Sequence, residues 1–284
     1  MSATIETEHM LARKATVVRT TDRSKLSAAR ADVVSGLLLW RLWGRLGWND
    51  IRQRYRRSIL GPFWLTVSMG IMVAALGVLY GKLFKQAIDD FLPFFCVGIL
   101  VWSLISGYLT ESGTLFTGSE AYIKQISLPF SIYAYRASWS KLIIFAHNVI
   151  IYFATIAYFR IWPGAIAIVA IPALMVVVFN GTVVSLSIGI VSARFRDIPQ
   201  LISSVVQIVF FLTPVIWKPN SLKDHAFIVE WNPFYHLLEI VRAPLLGTLP
   251  TLSNWAAVAI ITLINVAVAG ALFVRFRARI AYWV

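Results

Sequence analysis

The sequence predicts an all-α protein that crosses a membrane repeatedly, and three observations carry that expectation. Of its 284 residues 58% are hydrophobic and only 14% are charged, a balance foreign to a soluble domain. The charges are also segregated, leaving uncharged stretches at 58–81, 91–110, 142–159, 161–193, 198–217 and 252–274. About 20 apolar residues rising 1.5 Å each cross a hydrocarbon core roughly 30 Å thick. Finally, the cations fall on one side of any six-span arrangement. With the N-terminus in the cytosol, twenty of the 26 Lys and Arg residues lie in cytosolic segments, as the positive-inside rule requires. The net charge of +13 therefore reads as a topology signal and a contact with anionic headgroups, not as a nucleic-acid footprint.

The expected organisation is a flexible cytosolic tail over 1–35, an amphipathic interface helix over 36–60 and a transmembrane domain over 61–284. The tail is rich in Ala, Thr and Arg, has no apolar period and lacks the apolar core of a signal peptide. In the interface helix Trp40, Trp43, Gly47, Ile51 and Tyr55 recur at near-helical spacing, while Arg41, Arg45, Arg52 and Arg56 gather on another face. A cationic, Trp-bearing helix of this kind lies along a bilayer surface. Arg54 and Arg57 sit off the polar face, placed to snorkel or to meet protein. A plain lipid anchor and a helix that also touches a cytosolic partner both fit this pattern.

Gly61 and Pro62 break that helix and open the first span, 61–83. Lys82, Lys85, Asp89 and Asp90 make a short external loop before the second span, 91–112. A short helix is expected over 118–128, with Gly118 and Ser119 as caps, Glu120 near its positive end and Pro129 as its stop. It suits either a docking element for a cytosolic machine or an ordinary connector. The third span, 131–159, starts before its uncharged run. In the fourth, 164–193, Pro163 and Gly164 belong to the external turn and Pro172 is a candidate kink. Asn180, Thr182, Ser185 and Ser187 are placed there for interhelical hydrogen bonds or channel lining.

The fifth span, 198–217, follows Arg196 and Asp197, a possible ion pair at its cytosolic start, and ends in Thr-Pro-Val-Ile-Trp with Pro214 and Trp217. Then comes an amphipathic stretch, 222–247, opened by Trp231-Asn232-Pro233 and carrying Arg242. It is too long for a turn and too apolar for a soluble loop. It reads as an external re-entrant helical pair, which a membrane tolerates where backbone is covered by protein. A sixth span, 252–275, closes the chain.

Several chemistries find no foothold. No G-x-x-x-x-G-K-[ST] occurs, so the chain has no P-loop of its own. Its four histidines have no metal spacing, and the single Cys96 lies inside a span as a small buried residue. No catalytic set and no metal site is expected. Paired carboxylates at membrane depth, which an ion-driven carrier needs, are absent. Asp89-Asp90 is the only adjacent acidic pair, which argues against a membrane glycosyltransferase.

Three segments, YRRSILGPFW, EAYIKQISLPF and RDIPQL…TPVIW…WNPFYHLLEIVRAPLLG, in this order and spacing resemble the membrane-spanning permease of type-2 ABC exporters for polysaccharides such as O-antigen, capsule or teichoic acid. The resemblance runs from about residue 48 to 277. It implies a homodimer with two copies of a cytosolic nucleotide-binding ATPase, which would hold the ATP and Mg; no cofactor is expected in this chain. It further implies export of lipid-linked glycan across a bacterial inner membrane, with both termini cytosolic. Glu120, Tyr122, Ile123, Lys124 and Gln125 would form the coupling helix to the ATPase. Arg196 and Asp197 would be a cytosolic hinge, and Pro214, Trp217, Asn232, Pro233 and Arg242 would mark the external re-entrant region. Arg52, Arg54, Arg56 and Arg57 would guide a lipid pyrophosphate, guanidinium groups being suited to bidentate phosphate contact. Phe63, Trp64, Tyr80, Tyr108 and Tyr122 are candidate channel or entrance aromatics for sugar rings. A same-fold exporter of another amphiphile, a lipo-oligosaccharide or a drug, would share nearly all of these features.

Overall fold

A computed structural model describes residues 24–56, 61, 63–219 and 226–284. Among them every regular element is helical. Helix α1 covers residues 24–38 and α2 Trp40–Arg54. There follow α3 (Phe63–Leu83), α4 (Ile88–Glu111), the short α5 (Glu120–Gln125), α6 (Ser131–Phe159), α7 (Ala170–Arg194) and α8 (Ile198–Leu212). The chain closes with α9 (Ala226–Glu230), α10 (Pro233–Leu245), α11 (Leu252–Phe276) and α12 (Ile280–Trp283).

Among the described residues five helical runs are long and apolar enough to cross a membrane: Phe63–Leu83, Ile88–Thr114, Ser131–Phe159, Gly164–Arg194 and Leu252–Trp283. Helix α4 is hydrophobic all round and is buried on all sides, as such a helix must be. From Phe91 to Tyr108 most of its side chains are buried, covered by α3, α6, α7, α8 and α10. By contrast α3 buries only Thr66, Val73, Gly77 and Gly81, and α8 only Val206. Their other faces present Ile71, Leu79, Leu201, Ile208 and Phe211 outward, side chains suited to lipid or to another subunit. Polar pairs pin the inner helices to one another. Asn180 of α7 donates to Thr262 (2.8 Å) and accepts from Asn265 (2.9 Å), both on α11. Thr182 meets Ser138 (2.5 Å), and Ser112 donates to Ser185 (2.7 Å). Ser187 bonds only to its own helix, at Val183. Pro172 falls in the first turn of α7, where a proline breaks no interior hydrogen bond.

The fifth apolar stretch departs from a 20-residue span. Helix α8 has 15 residues, about 22 Å of rise, and ends at Leu212. Residues 213–217 are non-helical, yet Thr213, Pro214, Val215 and Ile216 are buried. Covered by protein, this irregular backbone is compatible with membrane depth. Much of the cover is α10, which packs on α4, α7 and α11 and buries His236 to Ala243 almost entirely. Gly247, at φ +82°, turns the chain out of α10, its N–H bonded to the Pro244 carbonyl at 3.1 Å.

Of the expected flexible tail over 1–35, residues 1–23 lie outside the described residues, and the described part is helical. Residues 24–38 are helical, and Asp32, 3% exposed, accepts from the backbone N–H groups of Phe130 and Ser131 at 3.0 Å. A carboxylate from α1 thus satisfies the open N-terminus of α6, favoured by the helix dipole. Arg277, after α11, completes the cluster by donating to Asp32 at 2.6 Å.

Candidate functional site

The basic end of the bundle gathers α1, α2, α5, α12 and the 195–197 turn. Helix α5 lies there with Glu120, Tyr122, Lys124 and Gln125 exposed and Ile123 turned toward the apolar cluster of Phe116, Ile132 and Tyr133. Lys124 donates to Glu120 at 2.5 Å, one helical turn away, and to the Val284 carbonyl at 3.1 Å. Hydrogen bonding and charge from Lys124, with Arg196 adding to them, hold the Glu120 carboxyl below its usual pKa. Ser119 stands at the helix start without capping it, because its hydroxyl donates back to the Leu115 carbonyl at 3.0 Å. The helix stops at Gln125, four residues before Pro129.

Tyr122 connects this helix to the rest. The Arg136 guanidinium sits 5.4 Å over its ring and makes a bidentate pair with Asp50 of α2, at 2.7 and 2.5 Å. Helix α2 is held close to α6 by Gly47, whose carbonyl accepts from Ser140 at 3.1 Å. A Cβ on Gly47 would stand 3.0 Å from the Arg136 carbonyl and from Trp139. So Gly47 and Ile51 are packed against protein, while Trp40 and Trp48 face outward. Glu111, at the end of α4, pairs with the buried Lys141 of α6 and lies 3.6 Å from Arg54.

Arg52, Arg54 and Arg56 are exposed at the end of α2, with Arg54 beside Glu111. Arg57 lies outside the described residues. No ion pair joins Arg196 to Asp197 among the described residues; Asp197 occupies the N-cap position of α8 without a side-chain bond to it. Both side chains are exposed, and the charge of Arg196 acts on Glu120 instead.

At the opposite end the two sequence motifs interlock. Asn232 caps α10 by accepting from the Phe234 and Tyr235 N–H groups, and its amide donates to Thr213 Oγ1 at 3.0 Å and the Leu212 carbonyl at 3.3 Å. Pro233 is the first residue of α10, where no N–H is needed. Arg242 is 1% exposed. It donates to the Pro214 carbonyl (2.6 Å) and to Glu239 (2.8 and 2.5 Å), and lies 4.1 Å over the Phe94 ring. Trp217 donates to the Phe211 carbonyl at 3.1 Å. His236 is fixed between Asn254 and the Glu230 carbonyl. These groups satisfy the backbone that α8 leaves open.

Of the channel candidates, Phe63 and Trp64 are exposed at the start of α3, and Tyr80 stacks on Phe84 at 5.9 Å. Tyr108 does not face outward. It is 2% exposed and pressed against Gly181 of α7, beside a partly open hollow of about 230 Å³ shared with Asn180 and Phe234. Its place on the face of α4 that packs against α7 directs it into the bundle. Asp32, Asp50, Arg136, Lys141 and Glu239 carry no motif that marks them in the sequence. Their one signal was being charged residues within or beside apolar stretches.

Five apolar, membrane-length helices among the described residues define a multi-pass membrane protein. The family model for the ABC-2 type transporter matches residues 41–246, and the chain belongs to this family, whose members carry their ATPase on a separate subunit. It is similar to the O-antigen export system permease protein RfbA of Myxococcus xanthus, 20% identical over 199 residues, covering 69% of this chain and 76% of that protein. It is likewise similar to the O-antigen export system permease protein RfbA of Klebsiella pneumoniae, 20% identical over 193 residues, 67% of this chain and 74% of the other. Helix α1 lies outside the part that the family model matches.

Proposed function

We propose that this chain is the permease subunit of an ATP-driven exporter that moves a lipid-linked polysaccharide from the cytosolic side across the bacterial inner membrane. The observation that carries this reading is the linkage of α5. An exposed six-residue helix is tied through Tyr122, Arg136 and Asp50 to the interface helix α2, and through Lys124 to the end of the chain. Such a helix is a handle by which a cytosolic partner can move membrane elements. The glycan cargo rests on the resemblance to O-antigen permeases.

In this reading two copies associate, each bound at α5 to one ATPase subunit that holds ATP and Mg. Both termini and the basic end lie in the cytosol, and α8 with residues 213–217 makes the sixth crossing. ATP-driven closure of the ATPases pulls on α5, the two copies part along the outward faces of α3 and α8, and Phe63 and Trp64 meet the sugar chain. Arg52, Arg54 and Arg56, with Arg57, guide the lipid pyrophosphate toward that opening by charge-assisted hydrogen bonds.

The test is depletion of the protein followed by fractionation of lipid-linked glycan. Full-length glycan-lipid is expected to accumulate on the cytosolic side and vanish from the surface. Glycan that still reaches the surface, or is never made, would remove the polysaccharide cargo from this reading.

A further inference from the structure

We propose that α1 and α11 build a binding site for an anionic phospholipid of the surrounding bilayer, with its phosphate at Arg275 and Arg279 and one acyl chain in the groove between α6, α7 and α11. The inference needs the membrane location of the helices but not the glycan cargo.

The groove has a volume of about 640 Å³, and Leu142, Phe179, Val183, Val266 and Phe273 are among its walls. It runs along α7 from Ile171 to Leu186, about 22 Å at helical rise. That exceeds the roughly 15 Å half-thickness that one leaflet's acyl chain must fill. The few polar groups along it already have partners within the chain. Thr182 bonds to the Val178 carbonyl and Ser138, Ser131 to the Asp32 carbonyl, and Tyr135 to the Val33 carbonyl. A lining with no polar valence to offer selects hydrocarbon over a sugar.

At the basic end a second hollow adjoins the groove, lined by Lys25 and Leu26 of α1 and by Ala271, Arg275 and Arg279. The two share Gly270. A Cβ built on Gly270 meets nothing within 4 Å, so the passage between them is open. Charge complementarity names the headgroup. Of the described acids at this end, Asp32 is held by Arg277, Asp50 by Arg136, Glu111 by Lys141 and Glu120 by Lys124, while Asp197 lies exposed at the start of α8 and pairs with neither Arg275 nor Arg279. Arg275 and Arg279 are exposed and enter no ion pair among the described residues; the Arg275 guanidinium only rests over Phe276, at 5.5 Å. Two cations at the mouth of an apolar groove, level with the membrane surface, match a phosphodiester above a hydrocarbon tail. Because α1 edges both hollows, a lipid seated there also clamps α1 onto the bundle.

The experiment is native mass spectrometry of the full-length protein in detergent, titrated with dioleoyl phosphatidylglycerol, with dioleoyl phosphatidylcholine, or with inorganic phosphate. Phosphatidylglycerol is expected to be retained in preference to phosphatidylcholine. Arg275→Gln and Arg279→Gln are each expected to lower its retention roughly fivefold, the effect of one cation near a membrane surface. Gly270→Leu, which fills the open passage, should abolish retention with both arginines intact. Arg275→Lys with Arg279→Lys keeps the charge and should bind, so the test survives if the Gln variants fail to fold. Equal retention of the two lipids, wild-type retention by Gly270→Leu, or displacement of the lipid by inorganic phosphate would each overturn the proposal.

Discussion

At the scale of single residues, buried charge and close packing set the sharpest expectations. Arg242 is enclosed by Glu239, the Pro214 carbonyl and Phe94. Removing one partner of a buried ion pair costs about 3–5 kcal/mol, whereas replacing both by apolar groups is far milder. Arg242→Met is therefore expected to lower the thermal midpoint in detergent strongly, and Arg242→Met combined with Glu239→Leu to recover much of the loss. Gly181→Ala would drive a Cβ into the Tyr108 ring. Overpacking of this kind costs about 1–3 kcal/mol, and the same thermal assay would register it. Glu120 offers a pH test. Its pKa is held below 4.5 by Lys124 and Arg196, so its contribution is complete above the unfolded value and fades as pH falls through the lowered one. Lys124→Ala should move the carboxyl pKa back up, as a carbon-detected NMR titration would show; an unmoved value would mean that the pair does not persist in solution.

At the scale of elements, the proposed function makes α5 a handle and not a support. Tyr122 is exposed and its ring holds Arg136 by a cation–π contact, worth about 0.5–1 kcal/mol at an exposed site. Tyr122→Ala should leave the thermal midpoint nearly unchanged while uncoupling substrate-stimulated ATP hydrolysis in the assembled transporter. Arg136→Lys keeps the charge but loses the fork that grips Asp50, and should uncouple in the same direction. If both variants hydrolyse ATP with wild-type stimulation, the linkage does not transmit motion. The elements also show where a single sequence stops informing. The amphipathic α2 was readable because its Trp and Arg periods are strong, and the long apolar helices because length and composition suffice. Helix α1 was not, since its anchor is Asp32 gripping backbone 98 residues away, a contact that no local period encodes. The end of α8 was hidden for a different reason. Pro214, Val215, Ile216 and Trp217 continue the apolar run, and hydropathy does not register that the backbone has left the helix. Tyr108 illustrates the same limit at the site: its aromatic character was legible, but the face of α4 that carries it was not.

At the scale of the whole molecule, orientation can be read with little engineering. Cys96 is the chain's single cysteine and is fully buried, so the wild-type protein should be silent toward membrane-impermeant thiol reagents. Gln125→Cys and Leu249→Cys place exposed thiols at opposite ends. In intact spheroplasts only the Leu249→Cys protein should label, and Gln125→Cys should label after permeabilisation. The reverse pattern would invert the topology that the cation asymmetry predicts.

The early end of α8 carries a consequence for how the chain is made. If α8 makes the sixth crossing as proposed, the Leu212 and Pro214 carbonyls reach the bilayer without cover, because Asn232 and Arg242, which bond them, have yet to be synthesised. A translocon cannot release α8 into lipid as a finished unit; it must retain it until α10 arrives. Chains cut after Trp217 should consequently be held at the translocon or degraded, while chains extended through Gly247 leave it.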